Sequence, residues 1–270
     1  GNGGAERQLA LLLKYLPSSW ERRVWSLDGG PFEDIIRDSG TAIVVHRRGW
    51  RFDVSPILSL WKILRTWRPD IVHSWGWMST AAAGPFCRMT GIPLIDGTIR
   101  MGMVPSYRGR ANRWSMKWAS LIVANSQAGL QAWHIETDRG RVVYNGFDTA
   151  RLAFYKSENI ALYDVFKVVM TSRMVPEKDY RTFFSAARKL VENRGVNWRF
   201  FAVGDGPLRK ELIQENKDLI DRGVIVFCEP STEVLPIVRS SHIGVLMTNP
   251  TIHQEGCSNS IMEYMACGLP

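Results

Sequence analysis

Short runs of β-branched and apolar residues alternate with helix-period segments along the whole chain, and this alternation narrows the fold more than any other feature. Strand-like runs fall at residues 23–27, 41–46, 69–73, 93–98, 121–124 and 142–144, and again at 165–171, 198–203, 224–227 and 243–247. Between them, residues 5–16 place Leu9, Leu12, Leu13 and Leu16 at helical spacing, 31–38 and 54–67 read as helices, and further helices start near Trp77, Arg110 and Ser126. Strands separated by helices predict parallel sheets covered on both faces. The alternation pauses at residues 145–164, which have no clear period. The expectation is therefore an α/β chain of two Rossmann-like domains, residues 1–150 and 151–270, and 270 residues at roughly 150 per domain agree with two.

Composition excludes the main competitors. Hydrophobic residues make up 45% of the chain and aromatics 11%, too many for a disordered tail. No stretch approaches the roughly 18 uninterrupted apolar residues of a membrane helix. Cys87, Cys228, Cys257 and Cys267 show neither CxxC pairing nor metal-ligand spacing, which points to reduced thiols and a cytoplasmic setting, with no metal expected. The net charge of +8 is uneven: residues 1–150 hold 19 Lys/Arg against 12 Asp/Glu, residues 151–270 hold 15 against 14. A basic first half suits phosphorylated ligands, anionic lipid or nucleic acid. A glycine turn opens the chain with no strand before it, and the chain stops after a helix where the alternation calls for a strand, so an excerpt truncated at both ends is expected.

Several segments lie where an open α/β sheet binds ligands, between a strand end and the next helix. Gly1-Asn2-Gly3-Gly4 precedes a helix whose free amides favour an anion; a plain capping turn accounts for the same residues. In Thr171-Ser172-Arg173-Met174-Val175-Pro176-Glu177-Lys178, Lys178 stands at the positive end of a helix dipole, where a cation is disfavoured unless a diphosphate or the neighbouring acids Glu177 and Asp179 compensate. Gly204-Asp205-Gly206-Pro207 reads mainly as a tight turn. The segment from Glu255 to Pro270, EGCSNSIMEYMACGLP, is the richest. Ser258 or Asn259 caps a helix expected to bury Ile261, Met262, Met265 and Ala266, leaving Glu263 off that face and Glu255 in the preceding loop. His73 and Asn125-Ser126 end strands where they can face the ligand side; an N-cap is the simpler reading of Ser126, and a hydrogen-bonded structural histidine competes with a ligand contact for His73.

Taken in order, Gly3-Gly4-Ala5-Glu6-Arg7-Gln8, Pro69-Asp70-Ile71-Val72-His73-Ser74, Ala124-Asn125-Ser126, Tyr144-Asn145-Gly146-Phe147-Asp148, Arg173 with Lys178, Gly204-Asp205-Gly206-Pro207 and the two glutamates Glu255 and Glu263 resemble family 4 retaining glycosyltransferases. The resemblance spans nearly the whole chain. It implies the GT-B fold, two Rossmann-like domains facing across a cleft, and a retaining transferase that moves a hexose-type sugar from a nucleoside diphosphate sugar, such as a UDP-sugar, to a glycan or lipid-linked glycan. In that frame Arg173 and Lys178 neutralise the donor diphosphate with the amides around Gly256, Cys257, Ser258 and Asn259. Glu255 holds the transferred sugar, Glu263 the ribose, and the Gly3-Gly4 loop closes over the phosphates. His73 and Arg100 stand on the acceptor side.

Electrostatic stabilisation of the leaving group then requires no cofactor or metal, in keeping with the absence of an Asp-x-Asp pair. Two positions depart from the pattern: many members carry histidine where this chain has Trp75 and Arg100. A nucleotide-sugar epimerase or hydrolase on the same fold, or a non-enzymatic basic binder of membrane or nucleic acid, are the alternatives. Arg100, Arg108, Arg110, Arg113 and Lys117, interleaved with Met101, Met103, Val104, Tyr107, Trp114 and Trp118, suit peripheral contact with an anionic membrane on its inner face; a solvated loop leading into a helix with both tryptophans in the core is the competing expectation. Nucleic acid is not expected, because no recognisable binding module accompanies the charge.

Overall fold

The computed structural model describes residues 4–50, 53–104, 109–153, 165–192, 196–229, 231 and 233–270. The chain divides into two compact units, Gly1–Gly146 with Glu255–Cys257, and Phe147–Gln254 with Ser258–Pro270. The expected phosphate-covering Gly3, with Gly1 and Asn2, lies outside the described residues, as do Tyr107 and Arg108.

The first unit runs α1 (Gly4–Tyr15), β1 (Arg23–Ser26), α2 (Glu33–Asp38), β2 (Ala42–Val45), α3 (Ser55–Trp67), β3 (Val72–Ser74), α4 (Trp77–Thr90), β4 (Leu94–Ile99), α5 (Gly109–Met116), β5 (Leu121–Ala124), α6 (Gln127–Trp133) and β6 (Gly140–Val142). Strands β1 and β2 pair in parallel, and β3-β4-β5-β6 form a second, wholly parallel sheet in chain order. Leu94, Ile99, Ile122 and Ala124 are all but completely buried, as strands covered on both faces require.

The second unit contains α7 (Ala150–Ala153), β7 (Phe166–Thr171), α8 (Tyr180–Val191), β8 (Trp198–Val203), α9 (Arg209–Glu215), α10 (Lys217–Asp221), β9 (Ile225–Cys228), α11 (Leu235–Arg239), β10 (Ile243–Gly244) and α12 (Asn259–Ala266). Its parallel sheet has the order β10-β7-β8-β9, so the chain enters at a central strand and winds outward in both directions. Helix α8 buries Tyr180, Phe183, Phe184 and Ala187, one helical face, against Phe200 and Met170; each such aromatic contributes about 1.5–3 kcal/mol.

The clearest differences from the sequence pattern are two strands and one unforeseen helix. The strand expected at 142–144 pairs over Gly140–Val142 instead, at the edge of the sheet, and Val143 and Tyr144 just after it are 60% and 66% exposed. The last strand is not 243–247 but two residues long. The Asp179 N–H takes the Met247 carbonyl (3.1 Å), which draws the backbone out of the ladder and toward the loop carrying Lys178. The short α7 falls in the stretch that has no sequence period.

Candidate functional site

In parallel sheets the strands' carboxyl ends share one edge, and both units place their chemistry-bearing residues there. In the first unit His73 lies in β3 and Trp75 just after it, Arg100 follows β4, and Asn125-Ser126 follow β5. Ser126 caps α6 by accepting the Gly129 N–H at 3.1 Å, the architectural role. Arg100 donates to the Trp75 carbonyl and lies over its indole, 5.5 Å from the ring centroid, so the two positions that depart from the family pattern touch each other. His73 packs 4.9 Å from the same indole. Burial, reinforced by the Arg100 charge and only partly opposed by Asp96, pushes His73 down to about 4, so its imidazole is neutral at physiological pH. Gly97 makes room for it: a Cβ there would stand 3.0 Å from His73 Nε2 and 3.2 Å from the Ser74 carbonyl.

Glu255–Cys257 packs as part of this unit. Met101 and Glu255 form an antiparallel bridge, and a Cβ on Gly256 would fall 2.3 Å from Asn125 Oδ1 and 3.0 Å from the Arg100 carbonyl, so any larger residue would have to displace the Asn125 amide. The Cys257 carbonyl accepts from Asn145 Nδ2 at 2.7 Å and Asn125 Nδ2 at 3.4 Å. Gln8 on α1 clasps Gly146 in a reciprocal amide pair, both bonds 2.8 Å. Gly4 is exposed at the start of α1.

In the second unit Arg173 and Lys178 share the loop between β7 and α8. The glycine turn shapes that loop. Gly204 (φ +146°) and Gly206 (φ +157°) pass so close to the Ser172 and Met174 carbonyls that side chains cannot be accommodated, and Met174 N–H bonds the Asp205 carbonyl at 2.8 Å. Asp179 caps α8 through the Thr182 N–H, leaving Lys178 just ahead of the helix. Burial and then the Arg173 charge push Lys178 down to about 8, with Glu177 opposing. His253, absent from the sequence expectations, is buried nearby and lowered first by burial, then by Lys178 and Arg173. Its signal was slight: one histidine two residues before Glu255.

Helix α12 is pinned to the end of β7. Ser260 Oγ bonds the Thr171 carbonyl, Tyr264 Oη accepts the Thr171 N–H at 2.7 Å, and Ser258 caps the helix through Ile261 N. Its inward face differs from the expected one: Glu263 and Tyr264 are buried, Met262 and Ala266 are only partly buried, and Met265 is 71% and Ile261 39% exposed. The apolar pattern misleads because the buried polar atoms are paired, Tyr264 with β7 and Glu263 with Arg151 on α7, whose Nη1 lies 3.3 Å from Glu263 Oε1. Arg151 also reaches Glu233 at 3.3 Å and stacks 5.7 Å from the Phe147 ring. Nothing in the sequence singles out Arg151, which lies 112 positions from its partner.

Among the described residues, no three His, Cys, Asp or Glu side chains cluster to hold a metal ion, and no helix is long and apolar enough to cross a membrane. Residues 2–151 match the family model described as Glycosyltransferase Family 4, and residues 165–270 match the model described as Glycosyl transferases group 1. Among curated proteins, the chain is similar to an Escherichia coli UDP-Gal:alpha-D-GlcNAc-diphosphoundecaprenol alpha-1,3-galactosyltransferase, 24% identical over 90% of this chain and 68% of that one. It is also similar to a Streptomyces fradiae 2-deoxystreptamine N-acetyl-D-glucosaminyltransferase, 26% identical over 87% of this chain and 61% of that one. Among solved structures, the Anabaena HepE protein in complex with UDP and glucose superposes with a TM-score of 0.80 at 19% identity, covering 100% of this chain and 77% of that one. A Rickettsia africae glycosyltransferase gives 0.74 at 18% identity, covering 99% and 74%. These likenesses establish the two-unit α/β GT-B fold.

Proposed function

Because the chain belongs to glycosyltransferase family 4, we propose that it transfers a sugar from a nucleoside diphosphate sugar, with UDP as the carrier, to a hydroxyl of a glycan or lipid-linked glycan, with retention at the anomeric carbon. The observation that carries this reading is that Arg173 and Lys178 share the β7–α8 loop, where burial and the Arg173 charge weaken the hold of Lys178 on its proton. Two cations held together at a sheet's carboxyl edge are what a diphosphate relieves. The amides at the start of α12, around Ser258 and Asn259 and extended by Gly256 and Cys257, add a favourable dipole, and the family resemblance assigns Gly3 and Gly4 to the same phosphates.

In this reading Glu263 holds the ribose, Glu255 holds hydroxyls of the transferred sugar, and His73, neutral, offers a hydrogen bond to the sugar or acceptor. The acceptor oxygen attacks the anomeric carbon on the face the phosphate is leaving. The carbon–phosphate-oxygen bond breaks, the new glycosidic bond forms, and the acceptor proton passes to the departing phosphate oxygen. Arg173 and Lys178 stabilise the charge that develops there, so the chain's own residues supply the catalysis without a metal cofactor. The printed activities of the E. coli and Streptomyces relatives, both sugar transfers, support the reaction class. Product analysis with radiolabelled UDP-galactose and UDP-N-acetylglucosamine, with and without a glycan acceptor, tests it. Acceptor-dependent label transfer with an α-linkage is expected; release of free sugar regardless of acceptor, or an epimerised nucleotide sugar, would assign a different reaction.

We also place peripheral contact with an anionic membrane, on its cytoplasmic face, on α5. Arg110, Arg113, Trp114 and Lys117 recur at helical spacing and are all exposed, Trp114 by 51%, while Asn112, Ser115 and Met116 face inward. Trp114 is therefore not core. Each basic residue near such a surface contributes about 1 kcal/mol. Co-sedimentation with phosphatidylserine vesicles at low salt is expected to fall at least tenfold when Arg110, Arg113 and Lys117 are all changed to Ser. Equal pelleting with neutral and anionic vesicles removes the contact.

A further inference from the structure

The first unit carries a cation at its ligand edge that is distinct from the Arg173 and Lys178 assigned to the donor diphosphate. Arg100 follows β4, is only partly exposed, and spends one donor on the Trp75 carbonyl, while its guanidinium plane rests on the Trp75 indole. Its other N–H donors make no hydrogen bond among the described residues, although a guanidinium presents five. Glu6 and Asp96 act on it through their charge, against the burial that disfavours its charged form, but neither forms an ion pair with it among the described residues. Asp96 is already spent, fully buried with its oxygens on Thr80 Oγ1 (2.6 Å) and the Thr98 N–H (2.8 Å). A partly desolvated, pre-oriented guanidinium with open donors is costly in the free protein and suited to an oxoanion in two-point geometry. The adjacent imidazole of His73 does not compete for that role, because it is uncharged at physiological pH.

We infer that Arg100 is a specificity-determining residue that recognises an anionic group on the acceptor, a sugar 1-diphosphate ester, and that Trp75 holds its guanidinium in place. This rests on the transferase reading and adds the substrate class on the acceptor side. The E. coli relative's acceptor, as its name gives it, carries such a diphosphate.

The test uses the full chain saturated with UDP, so that the donor phosphate site is filled. It compares titration with an N-acetylglucosaminyl diphosphate ester of a short alkyl alcohol against the matching neutral alkyl glycoside. The diphosphate ester is expected to bind the parent at least tenfold more tightly than Arg100→Gln, with Arg100→Lys intermediate, and the neutral glycoside to bind all three alike. Thermal melts of the three proteins separate a folding defect from a binding one. Undiminished diphosphate-ester binding in Arg100→Gln, or no preference for the ester in the parent, overturns the assignment. So does a loss confined to UDP-glucuronate relative to UDP-glucose, which would put the anion on the donor. UDP titration in the absence of acceptor reports on the transferase reading separately: failure of the parent to bind UDP defeats that reading whatever Arg100 does.

Discussion

Affinity for UDP is expected to fall steadily as pH rises above 8, approaching tenfold per pH unit, while affinity for uridine stays flat. Lys178 in the free protein loses its proton near pH 8, because burial and the Arg173 charge both disfavour the ammonium. A diphosphate beside it restores the preference for the charged form and raises that value in the complex. Below pH 8 the lysine proton is already present in both states and Lys178 adds no pH dependence to binding. Above it, the free protein must take up a proton to bind, and the cost grows until the raised value in the complex is passed. Isothermal titration in two buffers of different ionisation enthalpy measures the uptake directly.

Lys178→Arg, charged throughout, should bind UDP with no such slope. Arg173→Ala should move the break to higher pH by removing the like charge, while itself costing about 1.5–3 kcal/mol, roughly 10- to 150-fold. UDP binding unchanged between pH 7 and 9.5 in the parent, or equal losses of UDP and uridine in the variants, would remove these two residues from the diphosphate site.

Replacing Arg151 by Met is expected to destabilise the second unit strongly. Its side chain is 18% exposed and that of Glu263 only 5%, so the substitution removes a counter-ion from a buried carboxylate. Breaking such a pair from one side costs about 3–5 kcal/mol, because the desolvation cost of the remaining charge is no longer offset. For a unit of this size, that lowers Tm by roughly 10 °C or more. Glu233→Gln, at the exposed end of the same arginine, should cost less than about 1 kcal/mol. The double variant Arg151→Met with Glu263→Gln should melt above Arg151→Met alone, since the stranded charge is gone.

The same experiment reads the proposed ribose contact. Glu263→Gln keeps the shape but weakens UDP, whereas Glu255→Gln, in the segment grouped with the first unit, should leave UDP affinity intact and lower sugar transfer. A melting loss near zero for Arg151→Met would mean that the pair is solvated and contributes nothing.

The order of strands and helices and the parallel character of the sheets were legible in the residues alone. A strand buried on both faces must be apolar throughout, and a helix lying on it must repeat at 3.6, so segments such as 165–171 and 54–67 declare themselves locally. The glycine turn at Gly204 and Gly206 and the cap at Ser258 were legible for the same reason, since each answers a backbone requirement within a few residues. Tertiary structure decided what depends on partners distant in sequence. Hydrophobic periodicity put Met265 inside α12 and Glu263 outside, but burial followed the hydrogen bonds to Thr171 and the ion pair with Arg151, neither visible in an eight-residue helix. Glu255–Cys257 packs with the first unit because the Met101 bridge and the Asn125 and Asn145 amides hold it there, 108 or more residues from the rest of that unit. Arg100 and Trp75, each an isolated residue in the sequence, become one feature only where β3 and β4 pair and bring their carboxyl ends side by side.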